Sequence, residues 1–326
     1  MRFGMHLSFS KGPELARALG CKALQVFCGN PRGWLKTPLD AEFIQHFRAG
    51  VAAADIDPVV VHATYLINLA ARDDELYRKS CEAFITELKR AQQIGAKFYV
   101  LHIGNHMGAG PEAGRARVAQ AMRRADIEVP NGPEILVENT AGGGTSLGTT
   151  FEEVAAVIDA AGILRLGLCL DTCHALAAGY DIRDAAGVSK MLDTIDRTVG
   201  LKRLRCLHFN DCKSALGSKL DRHQHIGAGE IGAAGLKALL ADKRVWQLPA
   251  ILETPKEFPH SDVDNLWRAI EYAIEAGAVK RSEVGEKPAG LETPSDAPAP
   301  KKRNAAAKKI ASAKLKSVPA KKSRSK

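Results

Sequence analysis

Short apolar runs recur along residues 1–254 and alternate with longer stretches in which polar residues are frequent. Each run is six to eight residues long and rich in Val, Leu, Ile or Phe, which is typical of strands buried on both faces. The runs occupy residues 2–9, 22–28, 57–62, 97–102, 133–139, 166–171, 204–211 and 249–254. The pattern therefore predicts eight buried strands.

The stretches between these runs have the spacing of helices. Residues 73–95 and 149–162 are two clear examples, and both end in glycine, as helices often do at their C-termini. Strands that alternate with helices form a parallel sheet, and eight such units close into a (β/α)8 barrel. We therefore predict an α/β fold, a (β/α)8 TIM barrel that spans residues 1–280.

Six of the eight runs end in a side chain that can bind a metal ion: His62, His102, Glu138, Asp171, His208 and Glu253. A single histidine after a strand is usually a hydrogen-bonded core residue, and a single aspartate usually caps the next helix. Six together are a different matter, because the C-terminal ends of barrel strands meet at one mouth. Carboxylates buried there without a metal would be costly, so we predict a centre for zinc, manganese or iron.

A second group of potential ligands follows these strand ends. His174 comes three residues after Asp171, in the segment LCLDTCHALAAGYD. Asp221 and His223 have a D-x-H spacing, which suits two ligands on an extended loop. An ordinary solvated loop is the alternative for this pair. We expect His174, Asp221 and His223 to form a second cluster in the same mouth.

Five residues near the predicted ligands have weaker assignments. His106 and His225 each follow a predicted ligand closely but add no further pattern. Cys173 is predicted to be a small buried residue, with adventitious metal binding as the alternative. Asn210 and Lys213 flank the seventh strand end, and each is expected to hydrogen-bond either a phosphate or a neighbour of a ligand.

The composition allows a large core and predicts no membrane span. The chain has 326 residues, of which 45% are hydrophobic, and no apolar run approaches the length that crosses a bilayer. Its seven cysteines are odd in number and scattered, and no secretory-signal pattern precedes them. We therefore expect free thiols in a reducing cytosol.

The net charge of +9 is concentrated at the C-terminus. Residues 301–326 contain eleven Lys and Arg and no Asp or Glu, so residues 1–300 together carry a charge of −2. We predict a Pro/Ala-rich linker over residues 281–300 and a disordered Lys/Ala-rich tail over residues 301–326, because such a composition cannot bury enough apolar surface to fold. The tail is expected to contact DNA, and a solubilising or targeting segment is the alternative.

Six segments carry a resemblance to a known family. They are HATYLINLA, LHIGNH, ILVENTAGGGTSLG, LCLDTCHALAAGYD, LHFNDCKSALGSKLDRHQHIGAGEIG and ILETP. In this order they resemble endonuclease IV, the zinc-dependent apurinic/apyrimidinic endonucleases of base-excision repair, and the resemblance covers residues 1 to about 278. It implies a barrel that cleaves the phosphodiester 5′ to an abasic site and leaves a 3′-hydroxyl and a 5′-deoxyribose phosphate. It also implies trimming of 3′-blocked ends.

The resemblance further implies three zinc ions, with Mn²⁺ or Fe²⁺ as alternatives at one site. His62 and His102 would hold the first ion, and Glu138 would bridge it to a second. That second ion would also bind Asp171, His208 and Glu253. The third would bind His174, Asp221 and His223. Among these ligands, Glu138 and Glu253 are the expected catalytic carboxylates.

Two loops are expected to bind DNA by the same resemblance. Arg32, in the segment CGNPRGW, and the Tyr65–Leu66 pair match residues that enter the minor groove beside a flipped-out nucleotide. Trp34 lies in the first of these loops. Gly33 departs from the family, because some members have a longer polar side chain there. Ordinary packing is the alternative for Tyr65 and Trp34.

We expect a monomer that acts on duplex DNA with abasic or 3′-blocked lesions. It would not associate with membranes, and its location would be cytoplasmic and nucleoid-associated, or nuclear in a eukaryote. A metal-dependent sugar isomerase or epimerase on the same barrel is one rival, but it needs neither the D-x-H pair nor the basic tail. A non-enzymatic DNA-compacting protein is the other, and the complete set of nine ligands argues against it.

Overall fold

The computed structural model describes residues 1–34, 37–257 and 261–288. Eight parallel strands close into a barrel, which confirms the fold predicted from the apolar runs. In chain order the barrel strands are β1 (Arg2–His6), β2 (Ala23–Phe27), β3 (Val59–His62), β4 (Phe98–Leu101), β5 (Glu134–Glu138), β6 (Leu166–Asp171), β7 (Leu204–His208) and β10 (Pro249–Leu252). β10 pairs with β1 and β7 and so closes the ring. The predicted tail and most of the predicted linker lie outside the described residues.

Helices alternate with these strands along the chain. They are α1 (Gly12–Leu19), α2 (Ala41–Ala53), α3 (Asp74–Gln93), α4 (Pro111–Glu128), α5 (Phe151–Ala161), α6 (Thr172–Ala178), α7 (Ala185–Thr198), α8 (Gly232–Ala241) and α9 (Ser261–Glu275). The two helices predicted most clearly match α3 and α5, and both begin at a side-chain cap. The Asp73 carboxylate accepts a hydrogen bond from the Leu76 amide, and the Thr150 hydroxyl accepts one from the Glu153 amide. α5 ends at Gly162, whose φ of 67° is left-handed.

The seventh predicted strand is shorter in the structure than its apolar run. β7 ends at His208, and the following segment β8 (Asp211–Cys212) pairs antiparallel with β9 (His223–Gln224). The strand turns away because Thr172 ties the intervening backbone to the start of α6. The Thr172 hydroxyl donates to the Asn210 carbonyl over 2.6 Å and accepts from the Asn210 amide over 2.9 Å. The resulting ribbon carries His223 over the mouth.

The barrel interior is filled by a compact apolar cluster. Its members are Ala23, Val60, Phe98, Val100, Leu136, Cys169, Cys206 and Ile251. A second, larger core packs the outer faces of the strands against the helices. Since apolar side chains fill the lower part of the barrel, polar residues at the C-terminal strand ends face an open mouth above a closed floor. Among the described residues, no helix combines the length and apolarity needed to cross a bilayer.

Candidate metal centre

The candidate metal centre is built around Glu138, the last residue of β5. Its side chain is fully buried, and its two carboxylate oxygens face different imidazoles. Oε2 lies 3.1 Å from His62 Nε2 and 3.4 Å from His102 Nε2. Oε1 lies 2.9 Å from His208 Nδ1 and 3.3 Å from His174 Nδ1. A carboxylate whose oxygens face two separate groups of nitrogens suits a bridge between two metal ions.

The strand ends bring the predicted ligands to this position. All eight barrel strands run in the same direction, so their last residues share one rim. Six predicted ligands lie there: His62, His102, Glu138, Asp171, His208 and Glu253. Four of them, Glu138, Asp171, His208 and Glu253, form one group whose potential ligand atoms all lie within 4.8 Å of one another.

Backbone carbonyls orient three of the histidines. His62 Nδ1 donates to the carbonyl of the following residue over 2.8 Å. His174 Nδ1 donates to the Asn139 carbonyl and His223 Nδ1 to the Glu253 carbonyl, each over 2.9 Å. A carbonyl oxygen only accepts, so each ring carries a proton on Nδ1, and in the neutral ring the lone pair is on Nε2. Metal-binding histidines are commonly held in this way.

The three residues of the second predicted cluster lie near one another. Asp221 Oδ2 lies 3.2 Å from His174 Nε2, and Asp221 Oδ1 lies 3.4 Å from His223 Nε2. Both Nε2 atoms are buried and have no hydrogen-bond partner within the described part of the chain. Two unpartnered imidazole nitrogens beside a carboxylate fit a zinc-type ion, since such ions bind nitrogen and oxygen donors in this combination. Cys173 lies within reach of Asp221 and His223 as well.

Asp171 caps a helix with one carboxylate oxygen and directs the other toward the predicted ligands. Its Oδ1 accepts from the His174 amide over 2.7 Å and so caps α6. Its Oδ2 accepts from Asn210 Nδ2 over 2.7 Å and lies 3.6 Å from His223 Nε2. Asn139 fixes the backbone of Asp171, because the Asn139 side chain both accepts from its amide and donates to its carbonyl. The helix cap therefore uses Oδ1, and Oδ2 remains the potential ligand atom.

Charge balance in the centre depends on the imidazoles. Burial alone would raise the pKa of Glu138, but the charges of His102 and His208 and hydrogen bonds from the histidines hold that pKa well below its usual range. Burial alone would lower the pKa of His174, but Asp171 and the neighbouring carboxylates raise it well above its usual range. These two shifts reflect the attraction between the carboxylates and the imidazoles of the centre.

Two polar residues of the centre were missed by sequence reasoning. His6 ends β1, and Gln25 is its register partner in the middle of β2. His6 Nδ1 lies 3.4 Å from Glu253 Oε1, and Gln25 Nε2 donates to the same oxygen over 2.6 Å. The available signal was a polar side chain at an inward-facing position of an apolar strand, since alternate residues of a strand share one face.

Of the further polar residues near the predicted ligands, Asn210 contacts the centre, whereas His106 and His225 are hydrogen-bonded elsewhere. His106 Nδ1 accepts from the Gly110 amide over 3.0 Å, within its own loop. His225 Nδ1 faces Asn265 Nδ2 at 2.9 Å. Neither histidine belongs to a candidate metal group of the described residues. Lys213 is exposed. Asn210 is buried and contacts two predicted ligands. Its Nδ2 donates to Asp171 Oδ2 over 2.7 Å, and its Oδ1 accepts from the Glu253 amide over 2.8 Å.

The two loops predicted to bind DNA flank the mouth on the β2 and β3 side. Tyr65 is 68% exposed and Trp34 is 37% exposed, so neither is a core residue. Tyr65 packs edge-on against Phe27, with the ring centroids 5.2 Å apart. Arg32 is exposed and Leu66 is partly buried. Gly33, the departure from the family, leaves this loop without a side chain at that position.

Helix α3 anchors both loops through two buried polar residues. Glu87 accepts from the Thr64 amide over 3.2 Å and from the Thr64 hydroxyl over 2.9 Å, directly before Tyr65. One turn later, Arg90 donates to the carbonyls of Cys28 and Thr37, which bracket the other loop. These two buried side chains hold the loop backbone beside Tyr65 and on both sides of the Arg32 loop. The mouth itself encloses a cavity of about 300 Å³.

Comparisons with known proteins show which family this chain belongs to. A family model described as a xylose isomerase-like TIM barrel matches residues 13–277. A probable endonuclease 4 of Methanoculleus marisnigri is 45% identical over 276 residues, which cover 83% of this chain and 98% of that relative. The crystal structure of endonuclease IV from Thermus thermophilus has 38% identity and a TM-score of 0.76, covering 84% of this chain and all of that one. The chain belongs to the endonuclease IV family.

More distant structures have a similar barrel at much lower sequence identity. A D-tagatose 3-epimerase-like protein has a TM-score of 0.64 but only 17% identity, over 85% of this chain. At that identity the likeness concerns the fold alone. The endonuclease IV relatives therefore identify the family, whereas the likeness to the epimerase-like protein concerns the barrel alone.

Zinc should stabilise the protein more at alkaline than at acidic pH. The raised pKa of His174 means that attraction between its imidazolium and the carboxylates is present below about pH 6.5 and is lost as pH rises through the raised pKa. Zinc needs the unprotonated ring, so protons compete with it at low pH. We expect a larger zinc-induced increase in Tm at about pH 8 than at about pH 6, measured by calorimetry on chelator-treated protein. An equal increase at both pH values would contradict this coupling.

Proposed function

We propose that this protein is a DNA-repair endonuclease that hydrolyses the phosphodiester 5′ to an abasic site in duplex DNA. The products would be a 3′-hydroxyl and a 5′-deoxyribose phosphate, and 3′-blocked ends would be trimmed by the same centre. The observation that carries the proposal is the two-sided carboxylate of Glu138 among four imidazoles, at an open barrel mouth, in a member of the endonuclease IV family.

The proposed cofactor is a set of three zinc ions. Three groups of side chains would hold them: His62, His102 and Glu138; Glu138, Asp171, His208 and Glu253; and His174, Asp221 and His223. Bound zinc would supply Lewis acidity for activating water and for neutralising charge on the phosphate. Mn²⁺ or Fe²⁺ at one of these positions is the alternative, because the same donors accept them.

The chain's own carboxylates would keep their charge during the reaction. Burial alone would raise the pKa of Glu253, but the charge of His208 and the neighbouring imidazoles of His6 and His62 hold it well below its usual range. Glu138 is held low for a similar reason. Both groups are therefore anionic at neutral pH. They can accept hydrogen bonds and hold cations, and neither can act as a proton donor there.

The loops of Arg32 and Tyr65 are the proposed DNA contacts. Their exposure beside the cavity supports this role, since Tyr65 presents an aromatic face to solvent at the rim. Stacking against bases is available to such a side chain without sequence preference. Leu66 follows Tyr65 and would fill the space beside an unstacked base pair.

A duplex with one tetrahydrofuran abasic analogue tests the proposal directly. We expect a single nick 5′ to the analogue, loss of nicking after treatment with a chelator, and recovery when zinc is restored. A matched undamaged duplex is the control. If zinc-loaded protein fails to nick the abasic duplex while remaining folded, the proposed activity is wrong.

Glu253→Gln in the same assay should abolish nicking and leave abasic-duplex binding largely intact. The substitution removes the anionic charge from the metal group but leaves the loops in place. The cleavage rate should fall well beyond the ~10–100-fold cost of losing a partner that only supports a ligand. Glu112→Gln, at an exposed position in the first turn of α4, is the matched control. A Glu253→Gln protein within about tenfold of the parent rate would remove Glu253 from the set of ligands.

The loop contacts should matter more for damaged than for intact DNA. Tyr65→Ala should weaken binding to abasic duplex by roughly 1–3 kcal/mol, since each base stack has that value, and should change binding to undamaged duplex less. Arg32→Ala should have the same preference. Ile127→Ala, 79% exposed on α4, and Arg197→Ala, 69% exposed on α7, are remote surface controls. Equal losses on both duplexes, measured by fluorescence anisotropy, would assign these residues to the scaffold.

Residues 281–288 are the described part of the predicted linker, and they lie along α9. Arg281 pairs with Glu271 over 2.7 Å, and Lys287 pairs with Asp264 over 2.7 Å, so this segment runs back along α9 toward its first turn. That turn lies beside the mouth, because Asn265 there accepts from the amide of Ile226, three residues after His223.

Removing residues 289–326 should weaken binding to any duplex without changing the cleavage rate at saturating DNA. The loss of phosphate contacts should flatten the slope of log K against log salt by about 0.9 for each contact. A full-length variant with all eleven Lys and Arg of residues 301–326 replaced by Ser is the matched control, and it should behave like the truncated protein. If the salt slopes of all three proteins agree, the tail is a targeting or solubilising segment.

A further inference from the structure

Gln25 is a buried amide that contacts two predicted metal ligands, Glu253 after β10 and His208 at the end of β7. It lies in the middle of β2, with no exposed surface. Ala23 on the same strand belongs to the apolar cluster inside the barrel, whereas Leu24 and Val26 belong to the outer core. Alternation along the strand therefore points Gln25 inward, directly above that cluster. A buried amide at this position needs partners, because an unpaired polar group there is costly.

All the polar atoms of this amide are used within the centre. Gln25 Nε2 donates to Glu253 Oε1 over 2.6 Å and lies 2.9 Å from His6 Nδ1. Gln25 Oε1 lies 2.8 Å from His208 Nε2. The Glu253 carboxylate oxygen accepts the bond from the amide nitrogen, so Nε2 faces this oxygen. The amide oxygen must then face His208.

This orientation determines which nitrogen of His208 is available to a metal. An amide oxygen only accepts, so His208 carries a proton on Nε2. In the neutral ring the lone pair is then on Nδ1. Nδ1 lies 2.9 Å from Glu138 Oε1 and 3.4 Å from Glu253 Oε2, inside the group of potential ligands. His208 is thus reversed relative to His62, which donates from Nδ1 to a carbonyl and presents Nε2.

We propose that Gln25 is a positioning residue for the metal centre. It selects the Nε2-protonated tautomer of His208 and fixes one oxygen of Glu253, so that both side chains present ligand atoms to the same ion. The inference rests on the proposed function, because the role exists only if the centre binds metal. Hydrogen-bond partners of metal ligands commonly contribute 10–100-fold to metal affinity, so about that loss is expected when the amide is removed.

Zinc affinity of a Gln25→Met variant tests the proposal. Methionine has a similar volume but makes neither hydrogen bond. Leu24→Met is the matched control, since Leu24 is equally buried on the same strand and faces the outer core. Competition with a chelating dye should show about 10–100-fold weaker zinc binding for Gln25→Met and unchanged binding for Leu24→Met. Equal zinc affinity of Gln25→Met and the parent protein would overturn the inference.

The tautomer of His208 provides a second readout, which is independent of zinc affinity and of DNA cleavage. In zinc-loaded protein labelled with ¹⁵N-histidine, long-range ¹H–¹⁵N correlation should show the His208 proton on Nε2. Gln25→Glu keeps an acceptor for that proton but loses the donor to Glu253, so it should preserve the tautomer and still weaken zinc binding. A proton on Nδ1 of His208 in the parent protein would overturn the inference, even if Gln25→Met does not fold.

The two experiments separate this inference from the proposed function. If the parent protein binds no zinc, both are wrong. If the parent binds zinc and nicks abasic duplex, but zinc affinity and the His208 tautomer are independent of Gln25, only the positioning role is wrong.

Discussion

A fully buried carboxylate at the end of β5 is the constraint on which the rest of the centre depends. Glu138 has no exposed surface, and an uncompensated anion in that position would cost far more than the net stability of a domain. It is tolerated because four imidazoles from other segments lie within 3.4 Å of its oxygens. Eight parallel strands with their ends at one rim supply that surrounding. Closure of the barrel therefore brings together the imidazoles that the buried carboxylate needs.

Around this core, specific partners hold five of the predicted ligands. Backbone carbonyls set the orientation of His62, His174 and His223, and side-chain amides hold Asp171 and Glu253. Two buried residues of α3 hold the loops that flank the mouth. Preorganisation of this kind reduces the reorganisation needed when an ion or a DNA strand enters, because the acceptors and lone pairs already have their directions. The centre and the proposed DNA contacts are thus supported by the same rigid barrel.

The sequence was sufficient for the barrel and for the position of its polar rim, because both follow from local patterns. Apolar runs of strand length that end in His, Asp or Glu need no knowledge of distant residues. The role of Gln25 was not predictable in this way, since its partners Glu253 and His208 lie more than 180 residues away and meet it only across the closed barrel. The turn after His208 was also missed, because Thr172 on another segment causes it.

Anomalous diffraction at the zinc absorption edge, on crystals of the zinc-loaded protein, tests the central claim most directly. If Glu138 is a bridge, two ions should appear on opposite sides of its carboxylate, each about 2.0–2.2 Å from one oxygen. A third ion should lie among His174, Asp221 and His223. Zinc bound elsewhere, or a single ion that leaves one oxygen of Glu138 facing only imidazoles, would contradict the account.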